Sequence, residues 1–487
     1  MANNDDTIKS REDKLSAIIS CGVSPYGGRF DGRSSIDEIK KDFVEGKPLR
    51  LAGRLMAIRS HGKGVFADLR DSSGRMQLYI KADVVGEEQF SLFDNLDIGD
   101  IIGVDGESFM TRTGEPTLKV EKFQILSKSL KPLPEKWHGL KDVETRYRQR
   151  HLDLIANESV KNDFLLRSRL IKYIRSFLDG KGFIEVETPM MHQMPGGAAG
   201  EPFKTHHKAH DIDLYLRLAP ELYLKKLLVG GFEKVYELNR SFRNEGISTK
   251  HNPEFTMLEV YAAYCDYKDM MSLVQELIRS LAVDILGSEK INYQGKEIDL
   301  SGEWDVVSFA ELMKSNFGID ADDDDQTWIA KLRKKGKTVD SAVAGKGRLS
   351  RSQILKITEE LLDVKASSKP VFVIDYFKEL CPLDKRKKDN PSLTERFELF
   401  IGGMEVANAY SELNDPREQM ERFREQAKEL GKSEEAIDKD FVGALEYGMP
   451  PAGGLGVGID RLTMLLADKP SIRDVILFPQ LKPEIPE

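Results

Sequence analysis

FRNEGISTKHNPEFTMLEVY, residues 242–261, decides how this chain reads. Arg243 and Glu245 sit one residue apart, then come Gly246, a polar tip with His251 and Asn252, and Pro253. Beyond the proline, Phe255, Met257, Glu259 and Tyr261 fall at every second position, the period that puts side chains on one face of a strand. KVYELNRS (234–241) precedes it, so the stretch reads as a hairpin. A carboxylate inside a strand needs a cation or hydrogen-bond donors, because burying it alone is costly. The hairpin therefore reads as part of a site.

Working outward, NDFLLRSRLIKYIRSFLDGKG (162–182) places Leu166, Leu170, Ile174 and Leu178 at helical spacing, with Gly180 near the end. GFIEVETPMM (182–191) reads as a strand, and YLRLAPELYLKKLLVGG (215–231) as a helix. ERFELFIGGMEVANAYSEL (395–413) and GLGVGIDRLTMLL (454–466) read as strands and a final helix, with a helical insertion over about 318–366. These segments make one large domain, 152–487, so distant stretches must meet in space.

The first part of the chain has another rhythm. Residues 1–48 carry helical spacing (Leu15, Ile18, Ile19) and then polar chain. From Leu49 five short alternating segments follow: 49–60, 64–74, 75–82, 99–114 and 116–126, with helical EEQFSLFDNL (87–96) between the third and fourth. Five strands with a helix after the third is the pattern of an OB barrel, here 49–128. KPLPEKWHGLKDVETRYRQRH, with its prolines and basic excess, reads as a linker over 129–151. The expected fold class is α+β: a five-stranded OB β-barrel followed by a domain of helices flanking an antiparallel sheet.

The chain of 487 residues is 40% hydrophobic and 31% charged, the profile of a globular protein with ample core. It has no run of about 18 apolar residues, and MANNDDTIKSRED lacks the apolar core of a secretory signal. Cys21, Cys265 and Cys381 lie far apart, which argues against a disulfide framework or structural zinc and fits the cytoplasm. At a net charge of −9, any nucleic-acid contact must be concentrated on part of the surface.

Glu221, Glu245, Glu259, Glu398, Glu405 and Glu412 all lie in apolar or structured stretches. Glu398 and Glu405 flank the turn LFIGG; they suit Mg²⁺, which takes one or two carboxylates plus substrate phosphates. Surface-facing ends of a hairpin would give the same spacing. GLGVGIDR is a weak phosphate-loop match, since Ile459 stands where the third glycine belongs, and close strand–helix packing also uses glycine. Arg461, opening the last helix, can stack on a base or meet phosphate. HHKAH (206–210) reads as a surface loop and DADDDD (320–325) as a solvated acidic loop. In the barrel, Arg59, Phe66 and Gln77 suit base stacking and base-edge reading, although ordinary strand filling, with Phe66 in the core, is the commoner reading of such a pattern.

An OB barrel followed by GFIEVETP, FRNEGISTKHNPEFTMLEVY and GLGVGIDR resembles the class II aminoacyl-tRNA synthetases that charge lysine, aspartate and asparagine. RYRQRHLDLI, PMMHQMPGGAAGEPF, NAYSELNDP and IRDVILFPQLKP are similar to the bacterial-type lysyl-tRNA synthetases, over about 49–480. The resemblance implies that the chain activates L-lysine with ATP and charges tRNA(Lys). It also implies a homodimer through Glu185–Pro189 and the preceding helix, and Mg²⁺ at Glu398 and Glu405, up to three ions with ATP. In this comparison Arg243 meets the α-phosphate and the substrate carboxylate, Glu245 the adenine amino group, and His251 the far phosphates, with Asn252 also on ATP. Phe255 stacks under adenine and Arg461 over it. Gly197 and Glu221 hold the α-amino group with Glu259 in support, Asn408 meets the carboxylate, and Tyr261 and Glu412 take the ε-ammonium. Arg59, Phe66 and Gln77 hold the central anticodon uridine. GGAAGEPF departs from relatives at Gly200-Glu201, a change expected to leave the named ligands untouched.

Three glutamates and a tyrosine favour a cationic substrate, whereas an aspartate pocket needs Arg or Lys at that depth. Aspartyl- or asparaginyl-type ligases remain the nearest alternative. A non-catalytic RNA-binding protein of the same fold, and a lysine-activating enzyme that modifies a protein, are the others.

Overall fold

A computed structural model describes residues 2–61, 64–134, 140–198, 200–334, 350–365, 367–429 and 431–483. They fall into two compact units, Met1–Asp142 with His151–Ala156, and Val143–Arg150 with Asn157–Glu487.

The first unit is built on β1 (Pro48–His61), β2 (Gly64–Arg70), β3 (Arg75–Lys81), β4 (Ile101–Met110) and β5 (Pro116–Ser127). They close into a barrel in the order β1-β2-β3-β5-β4, which leaves no sheet edge. The helix Glu87–Phe93 follows the third strand, as the pattern predicts. Val65, Ala67 and Leu69 point into the barrel core with Leu51, Leu78 and Ile80. The period of two turns Phe66 the other way, so it is not core filling. Helix α1 (Ala2–Ser20) buries Ile18 against this core, while Ile19 stays exposed.

The second unit centres on an eight-stranded sheet. Its strands are β6 (Ile184–Glu185), β7 (Lys234–Phe242), β8 (Glu254–Ala263), β9 (Asp305–Ser308), β10 (Val371–Ile374), β11 (Arg396–Ile401), β12 (Met404–Ser411) and β13 (Ala452–Gly458). The order is β9-β10-β11-β12-β13-β8-β7-β6, antiparallel through the middle and parallel only at the two outer pairs. Helix α2 (Glu158–Gly180) places Leu170, Ile174 and Leu178 in the main core, as its spacing predicts. Val274, Leu277 and Leu281 of α4 (Tyr267–Leu281) pack in the same core with Leu258 and Val260 of β8. Each such side chain contributes roughly 1.5–3 kcal/mol on burial. The capping box of Asp266 and Asp269 starts α4. Helix α3 (Glu221–Val229) begins directly after Pro220, and α6 (Ile459–Leu466) directly after β13.

Three expectations need correction or narrowing. The strand read over 182–191 shrinks to Ile184–Glu185, while Met191–His192 pairs in a separate three-stranded sheet; Pro189 between them cannot donate to a ladder. HHKAH is not an open loop: Lys204–His207 pairs with Ile212–Leu216, and all three histidines are exposed. Within 318–366 lie the helices Asp325–Lys334 and α5 (Arg351–Leu361), packed on their own cluster around Trp328, Leu332 and Leu355. Residues 335–349 and 366 of that insertion lie outside the described residues, as do 135–139 of the 129–151 stretch. The rest of that stretch includes the helix Val143–Arg148. Among the described residues, no helix is long and apolar enough to cross a membrane.

Candidate active site

The strand register assembles the carboxylates. Glu398 of β11 pairs with Asn408 of β12, Asn408 with Gly456 of β13, Gly456 with Glu259 of β8, and Glu259 with Glu237 of β7. Paired residues share a face, so one row crosses five strands and carries polar side chains on four of them. The next row runs Arg396, Tyr410, Gly454, Tyr261. The middle strand contributes only glycine to both rows. A Cβ on Gly454 would collide with Glu412 Oε1 and stand 2.6 Å from Tyr261 Cε1. A Cβ on Gly456 would come within 3.2 Å of Met257 Cε. The glycines of GLGVG thus form the floor of a trough between β12 and β8, not a phosphate loop.

At one end of the trough the acidic groups are sealed from water. Glu221, Glu259, Tyr261 and Glu412 are all buried. Tyr261 Oη donates to Glu259 Oε2 at 3.1 Å, and Tyr410 Oη to Glu221 Oε1 at 2.6 Å. Burial, reinforced by Glu221, pushes the Glu259 carboxyl up to about 8. Glu237, opposite Glu259, is neutralised by Arg217 at 2.6 Å. Gly197, at φ +83°, packs against Glu221, whose Cβ would lie 3.4 Å from a Gly197 Cβ.

A buried cation that the sequence reading did not single out lies here. Lys225 Nζ is 2.6 Å from Glu221 Oε1 and ion-pairs with Glu412. An ammonium at this depth is what an aspartate pocket would require. It is already shared by two carboxylates, however, so three glutamates still outnumber it. Glu412 Oε1 and Asn408 Oδ1 are buried without hydrogen-bond partners among the described residues. Such orphans are costly, and a ligand ammonium or amide satisfies them.

The other end is arginine-rich. Arg243 lies with its guanidinium 5.1 Å from the Phe255 ring centroid, and its buried Nε has no partner among the described residues. Burial lowers its proton affinity, which Glu245 and Glu405 oppose. Arg461 Nη1 donates to Glu405 Oε2 at 2.8 Å and to its carbonyl at 3.0 Å, and Nη2 lies 3.2 Å from His251 Nε2. Burial and Arg461 push His251 down, so its neutral ring accepts from Arg461 and donates from Nδ1 to Ser248 Oγ at 2.9 Å. Asn252 is buried and spends its amide on the Glu254 carbonyl at 2.6 Å and the Gln480 N–H at 3.3 Å. Gly200 overturns one expectation. A Cβ there would stand 3.0 Å from Glu245 Oε1 and 3.4 Å from Arg243 Cδ, and the Glu201 carbonyl accepts from Asn244 N–H at 2.7 Å. The Gly200-Glu201 departure thus lies directly against two of the named residues.

Glu398 accepts from Tyr376 Oη at 2.8 Å and from Arg396 Nη2 at 2.5 Å. Burial, against the pull of Arg396 and with repulsion from Glu405, pushes it up to about 7. A carboxylate pair that repels itself fits a divalent cation, and two oxygens suffice for Mg²⁺ when phosphates supply others. No group of three or more ligating side chains is poised for a metal among the described residues. Glu359 of the insertion helix α5 joins the cluster through Arg396 at 3.5 Å.

On the barrel, Arg59 clasps buried Asp68 at 2.9 and 3.2 Å and pairs in register with Phe66. Phe66 and Tyr79 have ring centroids 4.8 Å apart, and Tyr79 and Phe109 6.2 Å apart. Gln77 Oε1 accepts from Thr117 Oγ1 at 2.9 Å. The outer face of the barrel therefore carries aromatic rings beside an arginine and an amide.

Comparison with known proteins agrees with both units. Residues 142–482 match the family of tRNA synthetases class II (D, K and N), and 49–126 match the OB-fold nucleic acid binding domain. A lysine–tRNA ligase of Pelotomaculum thermopropionicum is 55% identical, covering 98% of this chain and 95% of the relative. One from Carboxydothermus hydrogenoformans is 54% identical over 98% of both chains, and one from Syntrophomonas wolfei 50% over 100% and 99%. The chain belongs to the lysine–tRNA ligase family.

Within that family frame, the residues missed from sequence are Lys225, Tyr410, Arg396, Tyr376 and Glu359. Only Lys225 left a signal: it lies four residues after Glu221 in a helix, the spacing at which opposite charges meet. The others acquire their roles through strand pairing and burial.

Proposed function

We propose that this chain adenylates L-lysine with ATP and transfers the lysyl group to the 3′-terminal adenosine of tRNA(Lys). The carrying observation is the sealed end of the glycine trough, where carboxylates outnumber cations and Glu412 Oε1 lacks a partner among the described residues. A primary ammonium satisfies that oxygen. Glu412 and Tyr261 take the ε-ammonium. Glu221, Glu259 and the Gly197 backbone hold the α-amino group, and Asn408 meets the carboxylate.

The lysine carboxylate oxygen attacks the α-phosphorus, the bond to pyrophosphate breaks, and lysyl-adenylate forms. Arg243 orients the carboxylate and offsets charge gained on the α-phosphate. Phe255 and Arg461 sandwich adenine, Glu245 reads its amino group, and His251 and Asn252 line the phosphate end. Glu398 and Glu405 would hold Mg²⁺, which neutralises phosphate charge when bound. The tRNA 3′-hydroxyl then attacks the adenylate carbonyl and AMP leaves; catalysis is positioning and charge stabilisation throughout. Arg59, Phe66 and Gln77 read the central anticodon base by stacking and edge contacts. The setting is the cytoplasm, in keeping with three free cysteines.

The proposed active form is a homodimer through α2 and the 185–189 segment. Ile184 on the edge strand β6 and Leu165 on α2 are about half exposed, which supports an interface there. Light scattering should give the mass of two chains; a single-chain mass at working concentration removes this part.

The test is ATP–pyrophosphate exchange without tRNA, with lysine, aspartate, asparagine and arginine in parallel. Exchange with lysine alone is expected. Exchange with aspartate or asparagine would keep the fold and overturn the pocket. No exchange at all would favour a non-catalytic RNA-binding role.

A further inference from the structure

Lys225 has no part in the chemistry above, yet it is the most deeply buried cation of the pocket, with no exposed surface. Its ammonium bridges Glu221 on α3 and Glu412 at the end of β12. The rings of Tyr410 and Phe441 lie 5.5 and 5.9 Å away. The titratable groups facing this bridge are Glu259 and Tyr261 from β8, Tyr410 from β12, and Cys381 from the loop after β10.

Burial penalises every charge in this space, so carboxylates without a counter-cation would take up protons. A protonated Glu412 could no longer receive a substrate ammonium as an ion pair. Burial drives the Glu412 carboxyl up, and Lys225 is the first group opposing it. The two carboxylates outweigh the desolvation of Lys225, whose proton affinity is raised overall. The bridge engages one oxygen of each carboxylate, Glu221 Oε1 and Glu412 Oε2, and leaves Glu412 Oε1 aimed over Gly454 without a partner among the described residues.

Resting on the lysine-activating reading, we propose that Lys225 is a positioning and specificity-determining residue. Its ammonium holds Glu221 and Glu412 turned so that the pocket lacks one cation, and thus takes one primary ammonium. A purely structural ion pair would use the same contacts but would not govern how amino-acid binding depends on pH.

The test uses the full chain and the variants Lys225→Met and Lys225→Gln. Lysine-dependent exchange and lysine binding by calorimetry are followed across pH. Lysine KM should rise about tenfold or more while ATP KM moves less than about twofold. The acid limb of kcat/KM for lysine should move up by about one pH unit, because loss of the nearby cation raises carboxyl pKa values. In Lys225→Ala, butylammonium should restore exchange, filling the vacated volume with a free ammonium. Equal losses at all pH values with unchanged lysine KM and no amine rescue would overturn the proposal. Failure of all three variants to fold, even with butylammonium present, also counts against it, because the bridge is then a folding element. Absence of lysine-dependent exchange in the unsubstituted chain would instead sink the underlying reading, a separate result.

Discussion

Arg243 shows how one residue gains a role from its surroundings. It is half-buried, lies against Phe255, and keeps a buried Nε with no partner among the described residues. A guanidinium in low dielectric stabilises developing negative charge far more than one in water. Arg243→Ala should therefore lower the exchange rate by roughly 10²–10³-fold, the scale of losing one charge-stabilising donor. Lysine affinity by calorimetry should move only a few-fold. A near-normal exchange rate would remove this role. The residue types Arg, Glu and His in 242–261 pointed to a polar site, but the partners that define them did not show. Arg461 meets Glu405 and His251 only because α6 begins where β13 ends.

At the scale of elements, β13 is the decisive strand. Its glycines weaken an isolated strand, since they add entropy cost and pack nothing. Here β12 and β8 enclose it, and the missing side chains create the trough. Gly454→Ala should drive a methyl group into Glu412 and Tyr261. The expected result is a lysine KM raised about 100-fold or more, of the order set by 1–3 kcal/mol of overpacking plus a lost charge contact. ATP KM should change little, since Gly454 lies at the carboxylate end. Equal damage to both would show that the trough is one steric unit. Gly456→Ala, 3.2 Å from the flexible end of Met257, should be milder.

For the whole molecule, the barrel and the large sheet serve two separable assays. Phe66 faces out of the barrel, with Tyr79 beside it. Base–aromatic stacking contributes about 1–3 kcal/mol per base, so Phe66→Ala should weaken tRNA charging by roughly 5–150-fold. Exchange without tRNA should stay as in the parent chain. A matching loss in both assays would indicate misfolding rather than lost recognition.

The sequence by itself determined the barrel, the motif-bearing hairpin and the main helices, because period-two and helical spacing are local signals that burial only reinforces. Leu170, Ile174 and Leu178 went into the core as their spacing required. The family resemblance added roles, residue by residue, onto Glu398, Asn408, Glu412 and their neighbours. Only the tertiary structure decided what those neighbours are. Register across five strands set Glu398, Asn408, Gly456, Glu259 and Glu237 in one row, although they span more than two hundred positions of the chain. Burial then made their charges interact, placing Lys225 between Glu221 and Glu412. Pairing and desolvation are properties of the folded sheet, so no reading of one segment at a time contains them.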